Sequence, residues 1–278
     1  MNTTDNTGRG FWGDSGEEIL EANPAVKEAW SGERLMSLLI DPTGGPMYRK
    51  LDALHFVAEV NPDTVRAWLP DNLTPVDPAL ATVYISDFPR TAFGVAYQEA
   101  GLFLHCLFEE QEHMQCAWMV LNDDTPLILG REFSGLPKKI AEVEIDMNAT
   151  NPRGVVRRRG YTVLEISGSN PTPLEDGELF QLPTLNVRGA PGRGDGELLR
   201  ECASHRLHEG QAMDLEVFVG KSEFDPLYKL ELPKKVRGEH LIVDVGLPDV
   251  EPRINLTTGV VGSVPEEWVT KAYPFRCY

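Results

Sequence analysis

Cations are scarce in this chain of 278 residues: 26 lysines and arginines stand against 43 aspartates and glutamates, a formal net charge of −17. With a pI near 4.8, most of the surface repels a polyanion, which argues against a nucleic-acid partner and for a small-molecule one. Cysteine is scarce too. Cys106, Cys116, Cys202 and Cys277 include no C-x-x-C pair, so neither a disulfide framework nor a zinc knuckle is expected, and the thiols read as buried and free. No run approaches the roughly 18 apolar residues of a membrane-spanning helix. The first residues also lack a cationic start followed by an apolar stretch, so no membrane partner and a cytoplasmic location are expected. There is no G-x-S-x-G elbow, no internal repeat and no Pro/Ser linker.

What is present is a 41% hydrophobic composition, enough for a substantial core. Residues 1–15 are polar and Gly-rich and read as a mobile leader. Residues 16–48 hold Ile19, Leu20, Val26 and Trp30 near helical spacing and read as an accessory helical extension. Residues 49–278 read as one catalytic domain. There, 54–60 is a strand candidate, and Asn61-Pro62-Asp63 caps a short helix through Trp68. Strand-like runs follow at 81–86, 91–98, 102–108, 116–121, 140–147, 154–159 and 162–167, then at 215–220 and 241–245, with Gly, Pro, Asn and Asp between them. Residues 174–196 read as loop, and Gly192-Arg193-Gly194-Asp195-Gly196 reads as a hairpin turn because the G-x-G-x-x-G spacing is missing. The fold class is α+β, mainly β: antiparallel sheets curled into a barrel or cone with a few peripheral helices.

Most polar clusters have an ordinary explanation. Glu109-Glu110-Gln111-Glu112-His113 reads as a solvated hairpin. His205 and His208 lack a third metal ligand, and His240 reads as structural. Lys138-Lys139 differs. A lysine of ordinary pKa is neutral in only about one molecule in a few thousand at pH 7, so an amine nucleophile needs apolar burial or a neighbouring cation. Leu127-Ile128-Leu129 leads toward this pair and gives it a route to the interior. The near-identical Leu232-Pro233-Lys234-Lys235-Val236 sits between charged segments and reads as surface. In strand geometry, Lys138 and Lys139 leave on opposite faces, so only one lines a pocket.

The stretch Gly130-Arg131-Glu132-Phe133-Ser134-Gly135-Leu136-Pro137-Lys138-Lys139 closely resembles the signature of the acetoacetate decarboxylase superfamily. Gly94 to Gly101 resembles the segment carrying one active-site glutamate, Phe180 to Val187 a mid-chain strand, and 225–240 with 244–248 the end of the fold. The similarity spans about residues 50–250. It implies that Lys138 forms a Schiff base, with Lys139 as electrostatic helper and Glu99 as the matching glutamate. Tyr84 stands where the decarboxylases have a second glutamate, and their arginine ahead of the first strand is matched only by Arg49 in poor register. Arg131 and Glu132 read as structural.

The activity so implied is a cofactor-independent lyase acting on a small oxo acid, first of all by decarboxylating a β-keto acid. An aldolase-dehydratase or cyclase working on a 2-oxo acid through the same lysine is the alternative, and a non-catalytic carbonyl-binding protein is the competing class. The resemblance also implies a homo-oligomer.

Overall fold

The computed structural model describes residues 45–148, 151–174, 182–246 and 259–277. Residues 1–15, read as a leader, residues 16–44 of the segment read as a helical extension, and 175–181 of the segment read as loop lie outside the described residues; the chain is in strand at Tyr48, the end of that extension, and again at Thr184–Arg188, inside the segment read as loop. Fifteen strands among them form one sheet: β1 (Tyr48–Glu59), β2 (Thr74–Pro75), β3 (Leu80–Phe88), β4 (Arg90–Thr91), β5 (Tyr97–Phe108), β6 (Gln111–Leu121), β7 (Lys138–Ile140), β8 (Glu142–Asp146), β9 (Arg153–Arg158), β10 (Tyr161–Pro173), β11 (Thr184–Arg188), β12 (Gly196–Glu201), β13 (His205–Val219), β14 (Lys235–Val245) and β15 (Gly259–Val264). The helices are α1 (Pro62–Trp68), α2 (Asp124–Glu132) and α3 (Glu266–Cys277). None of the described helices is long and apolar enough to cross a membrane.

The spatial order is β15-β12-β11-β6-β5-β3-β1-β14-β13-β10-β9-β8, with β2, β4 and β7 attached beside the main path. The fold is mainly β and mostly antiparallel, as expected, but the sheet has two ends and does not close. The barrel or cone is thereby corrected to an open sheet that folds back on itself, with β8 against β3 and β5 and β9 against β3. Two apolar clusters result. One contains Leu54, Phe56, Val83, Ile85, Leu102, Leu104 and Trp118. The other holds their alternating neighbours Ala53, Tyr84, Tyr97, Phe103, Cys116 and Met119. The period-2 pattern of β1, β3 and β5 is thus apolar on both faces, as a sheet covered on both sides requires.

Local chemistry accounts for the elements around the site. Asn61 caps α1 by accepting from the Thr64 amide at 3.0 Å, with Pro62 in the first turn, where its missing N–H costs nothing. Asp123 caps α2 by accepting from the Thr125 amide at 2.8 Å. The Leu127-Ile128-Leu129 run lies in α2, and this helix carries the chain from the end of β6 to a strand parallel to it, β7. The expected strand at 91–98 is broken. Thr91 Oγ1 donates to the Val95 carbonyl at 2.7 Å and accepts the Val95 amide at 3.2 Å, closing a loop around Gly94 at φ +80°. β5 therefore begins only at Tyr97. The Glu109–Glu110 turn of the β5–β6 hairpin is exposed as predicted, whereas His113 is buried.

Candidate active site

Register brings the site together. Tyr84 on β3 pairs with Gly101 on β5, Gly101 with Met119 on β6, and Met119 with Lys138 on β7. One row of the sheet thus carries Tyr84 at one end and Lys138 at the other, with Glu99 on β5 two residues from that row. On β6 a bulge at Ala117 interrupts the pairing, so Phe103 pairs with Cys116 while Leu102 pairs with Trp118. The extra residue lets Cys116 and Met119, three apart, both face the site side.

Lys138 Nζ lies 2.7 Å from Glu99 Oε2, with both side chains 4% exposed. Tyr84 Oη donates to the other carboxylate oxygen, Oε1, at 2.6 Å. The Tyr97 ring lies beneath the amine, 5.5 Å from Nζ to the centroid. Tyr97 stacks on Phe88 at 4.4 Å, and the Tyr48 edge meets Phe88 at 5.1 Å. Burial first, and then the Glu99 charge, push the hydroxyls of Tyr48, Tyr84 and Tyr97 well above the ordinary phenol range. All three are neutral hydrogen-bond donors at physiological pH.

Two glycines make this packing possible. A Cβ on Gly101 would sit 2.5 to 2.7 Å from Tyr84 Cε1, Cζ and Oη, so the phenol reaches Glu99 only by lying across a bare backbone. A Cβ on Gly130 of α2 would meet Lys138 Cδ and Cε at 2.6 Å, so the lysine runs along the notch that this glycine leaves. In the sequence, Glu99 falls in the gap between the strand-like runs 91–98 and 102–108, just before Gly101. It lies instead inside β5 and is buried, because Gly101 serves side-chain packing and does not end the strand.

Three of the four predicted residues converge: Lys138, Glu99 and Tyr84. Lys139 leaves on the other face. Its Nζ donates to Asp225 Oδ1 at 2.5 Å and to the Phe275 carbonyl at 3.0 Å. Asp225 also accepts from Arg158 Nη1 at 2.9 Å and Trp118 Nε1 at 2.9 Å. Burial alone would raise the Asp225 carboxyl, but the Lys139 and Arg158 cations and the Trp118 hydrogen bond hold it below its ordinary value. Arg131 holds the lysine strand through its backbone, donating from Nη1 to the Lys138 carbonyl at 3.1 Å, a structural role as expected. In the second Pro-Lys-Lys copy, Lys234 and Lys235 are exposed, also as expected. His240 pairs with Asp52 at 2.6 Å.

The sequence reading missed Tyr48 and Glu201. Tyr48 lies one residue before the poorly placed Arg49 and packs against the aromatic wall. Glu201 ends β12, paired with Thr184, which pairs in turn with Met114 of the site face. The residue is half-buried, and desolvation raises its carboxyl to about 7 against the opposing pull of the Lys138 charge and the Ser134 hydrogen bond. No motif spacing marks either residue; only the β11–β12 hairpin brings Glu201 near.

The sequence model of the acetoacetate decarboxylase family matches residues 36–253. Decarboxylase DEC1 of Cochliobolus heterostrophus is 25% identical over 207 residues, which cover 66% of this chain and 78% of that protein. Acetoacetate decarboxylase 1 of Bradyrhizobium diazoefficiens is 30% identical over 107 residues, which cover 38% of this chain and 42% of that protein, so the match spans less than half its length. Among solved structures, acetoacetate decarboxylase from Legionella pneumophila superposes with a TM-score of 0.69 at 18% identity, covering 79% of this chain and 88% of that one. The enduracididine biosynthesis enzyme MppR, complexed with pyruvate, superposes with a TM-score of 0.60 at 17% identity, covering 70% and 85%.

Proposed function

The chain belongs to the acetoacetate decarboxylase family, and we propose that it is a lyase that captures a small oxo acid as a Schiff base on Lys138 and decarboxylates a β-keto acid. The observation that carries this reading is the buried contact between Lys138 Nζ and Glu99 Oε2 at 2.7 Å, on a wall of aromatic side chains. A nucleophilic amine must first lose its proton, and Glu99 is the base within reach. The free amine adds to the keto carbon, and loss of water leaves a protonated imine. The bond to the carboxylate carbon then breaks. Its electron pair enters the imine to give an enamine, and carbon dioxide leaves. The enamine carbon takes back the proton that Glu99 removed from the amine, with Tyr84 holding the carboxylate in place, and water releases the ketone and the lysine. Apolar walls favour the step because a dispersed, neutral product replaces a hydrated carboxylate.

A second reading is aldol condensation and dehydration, or cyclisation, of a 2-oxo acid. Tyr84, a phenol held neutral, favours it: it donates where the decarboxylase pattern has an acceptor carboxylate. MppR, a neighbour of similar fold, is seen with pyruvate. The enzyme is further proposed to work in the cytoplasm, where the free thiols of Cys106, Cys116 and Cys202 stay reduced. It is also proposed to work as a homo-oligomer that covers the sheet ends at β8 and β15.

The test is intact mass after sodium borohydride treatment with acetoacetate or pyruvate, followed by peptide mapping. The reduced adduct is expected on the peptide containing Lys138 and absent from Lys138→Arg, which also loses turnover. Release of carbon dioxide separates the first reading from the second. If a panel of oxo acids leaves no adduct on the folded protein, both fail and a non-catalytic carbonyl binder replaces them.

A further inference from the structure

Imine chemistry needs an acid as well as a base, because a carbinolamine loses its oxygen as water only when a proton reaches the departing hydroxyl. Glu99 is committed to the amine through one oxygen and to Tyr84 through the other. The phenols of Tyr48, Tyr84 and Tyr97 hold their protons tightly. On this basis, and resting on the Schiff-base reading of Lys138, we propose that Glu201 is the second proton-transfer carboxyl of the site, the acid that expels water from the carbinolamine.

The placement of Glu201 supports this. Its pairing row through Thr184 reaches Met114 on the face that carries Tyr84 and Cys116. Ser134 Oγ donates to Oε1 at 3.4 Å and Asn186 Nδ2 to Oε2 at 3.5 Å, both from buried residues. Ser134 belongs to the turn between α2 and β7, so the segment that delivers the lysine also steadies this carboxyl. The titratable groups that face Glu201 are Lys138 on β7, Tyr48 on β1, Cys116 on β6 and its neighbour Cys202. Glu99 acts on the same Tyr48 and Cys116, and Arg276 of α3 acts on Cys116. Desolvation places the Glu201 carboxyl near 7, where a group both gives and recovers a proton at neutral pH.

The Lys138 charge times this exchange. The ammonium form pulls the Glu201 carboxyl down, so the neutral carbinolamine lets Glu201 keep its proton until it is needed. The carbon–oxygen bond then breaks and the proton passes from Glu201 to the leaving hydroxyl. Water departs, and the nitrogen lone pair closes the carbon–nitrogen double bond. The resulting carboxylate faces a new cation, which stabilises it. On hydrolysis Glu201 takes a proton from the attacking water and the cycle closes.

The experiment measures the rate of borohydride trapping at Lys138 with acetoacetate and with pyruvate from pH 5 to 9. For the unaltered protein, trapping is expected to fall on a limb near pH 7 as Glu201 ionises. Glu201→Gln should slow it about a hundredfold and erase that limb, while Glu201→Asp recovers part of the rate with a displaced limb. An unchanged rate and limb in folded Glu201→Gln would overturn the assignment. So would equal loss in folded Glu201→Asp with no limb. If the unaltered protein is not trapped at any pH, the Schiff-base reading itself fails, an outcome distinct from a trapped protein indifferent to Glu201.

Discussion

Glu99 gives one oxygen to a phenol and the other to an amine, and both partners are buried with it. A carboxylate held this way cannot rotate to share one oxygen between them, so its roles as acceptor from Tyr84 and as base for Lys138 are separable by mutation. Tyr84→Phe removes the donor and keeps the ring that packs against Phe103 at 6.1 Å. Turnover should fall about a hundredfold. The unfolding free energy should fall by about 1–3 kcal/mol, the usual cost of stranding a buried acceptor. Steady-state kinetics beside a denaturant titration checks both. Unchanged turnover would make Tyr84 an ordinary strand aromatic.

At the scale of elements, the ten residues from Gly130 to Lys139 act as one device: the end of a helix, a left-handed turn at Gly135 (φ +66°) and a short parallel strand. Gly130→Ala separates activity from stability. The added methyl meets the far end of a flexible lysine chain, which can move aside, and alanine favours the helix by about 1 kcal/mol over glycine. A thermal midpoint equal to or above that of the unaltered protein is therefore expected, with turnover about a hundredfold lower because the amine is displaced. A midpoint that drops together with activity would show that the notch serves folding. Much of this device was legible in the sequence, because the motif and the alternation of β1, β3 and β5 are local signals. The remainder was not. In β13 the residues His205 to Ala212 are mostly exposed or half-buried, so only its apolar end showed. β12 is short and charged at its end, and α3 contains Pro274. Glu201 acquires its surroundings from β11 and from Ser134, 67 residues away, and no spacing rule reaches that far.

For the whole molecule, Asp225 is the junction. It joins Lys139 of β7, Arg158 of β9 and Trp118 of β6, and Lys139 ties α3 in through the Phe275 carbonyl. Asp225→Asn leaves two buried cations without their counter-charge and should cost about 3–5 kcal/mol at pH 7, read from urea denaturation. The folded state holds this carboxyl below 3.8, so its contribution is present above that pH and is lost as pH falls through the depressed folded value. The stability gap between the unaltered protein and Asp225→Asn should accordingly close toward pH 2. A gap of the same size at pH 7 and pH 2 would mean that the charge of Asp225 is not what holds the elements together.

The two lysines stand side by side in the chain yet face different sides of the sheet, and five residues, 133–137, separate α2 from β7. Lengthening that connector by one residue would turn every side chain of β7 over, pointing Lys138 toward Asp225 and emptying its place beside Glu99. The connector works as a ruler: its length is constrained as tightly as its spelling, and a single-codon insertion there should silence the protein even with all ten signature residues intact.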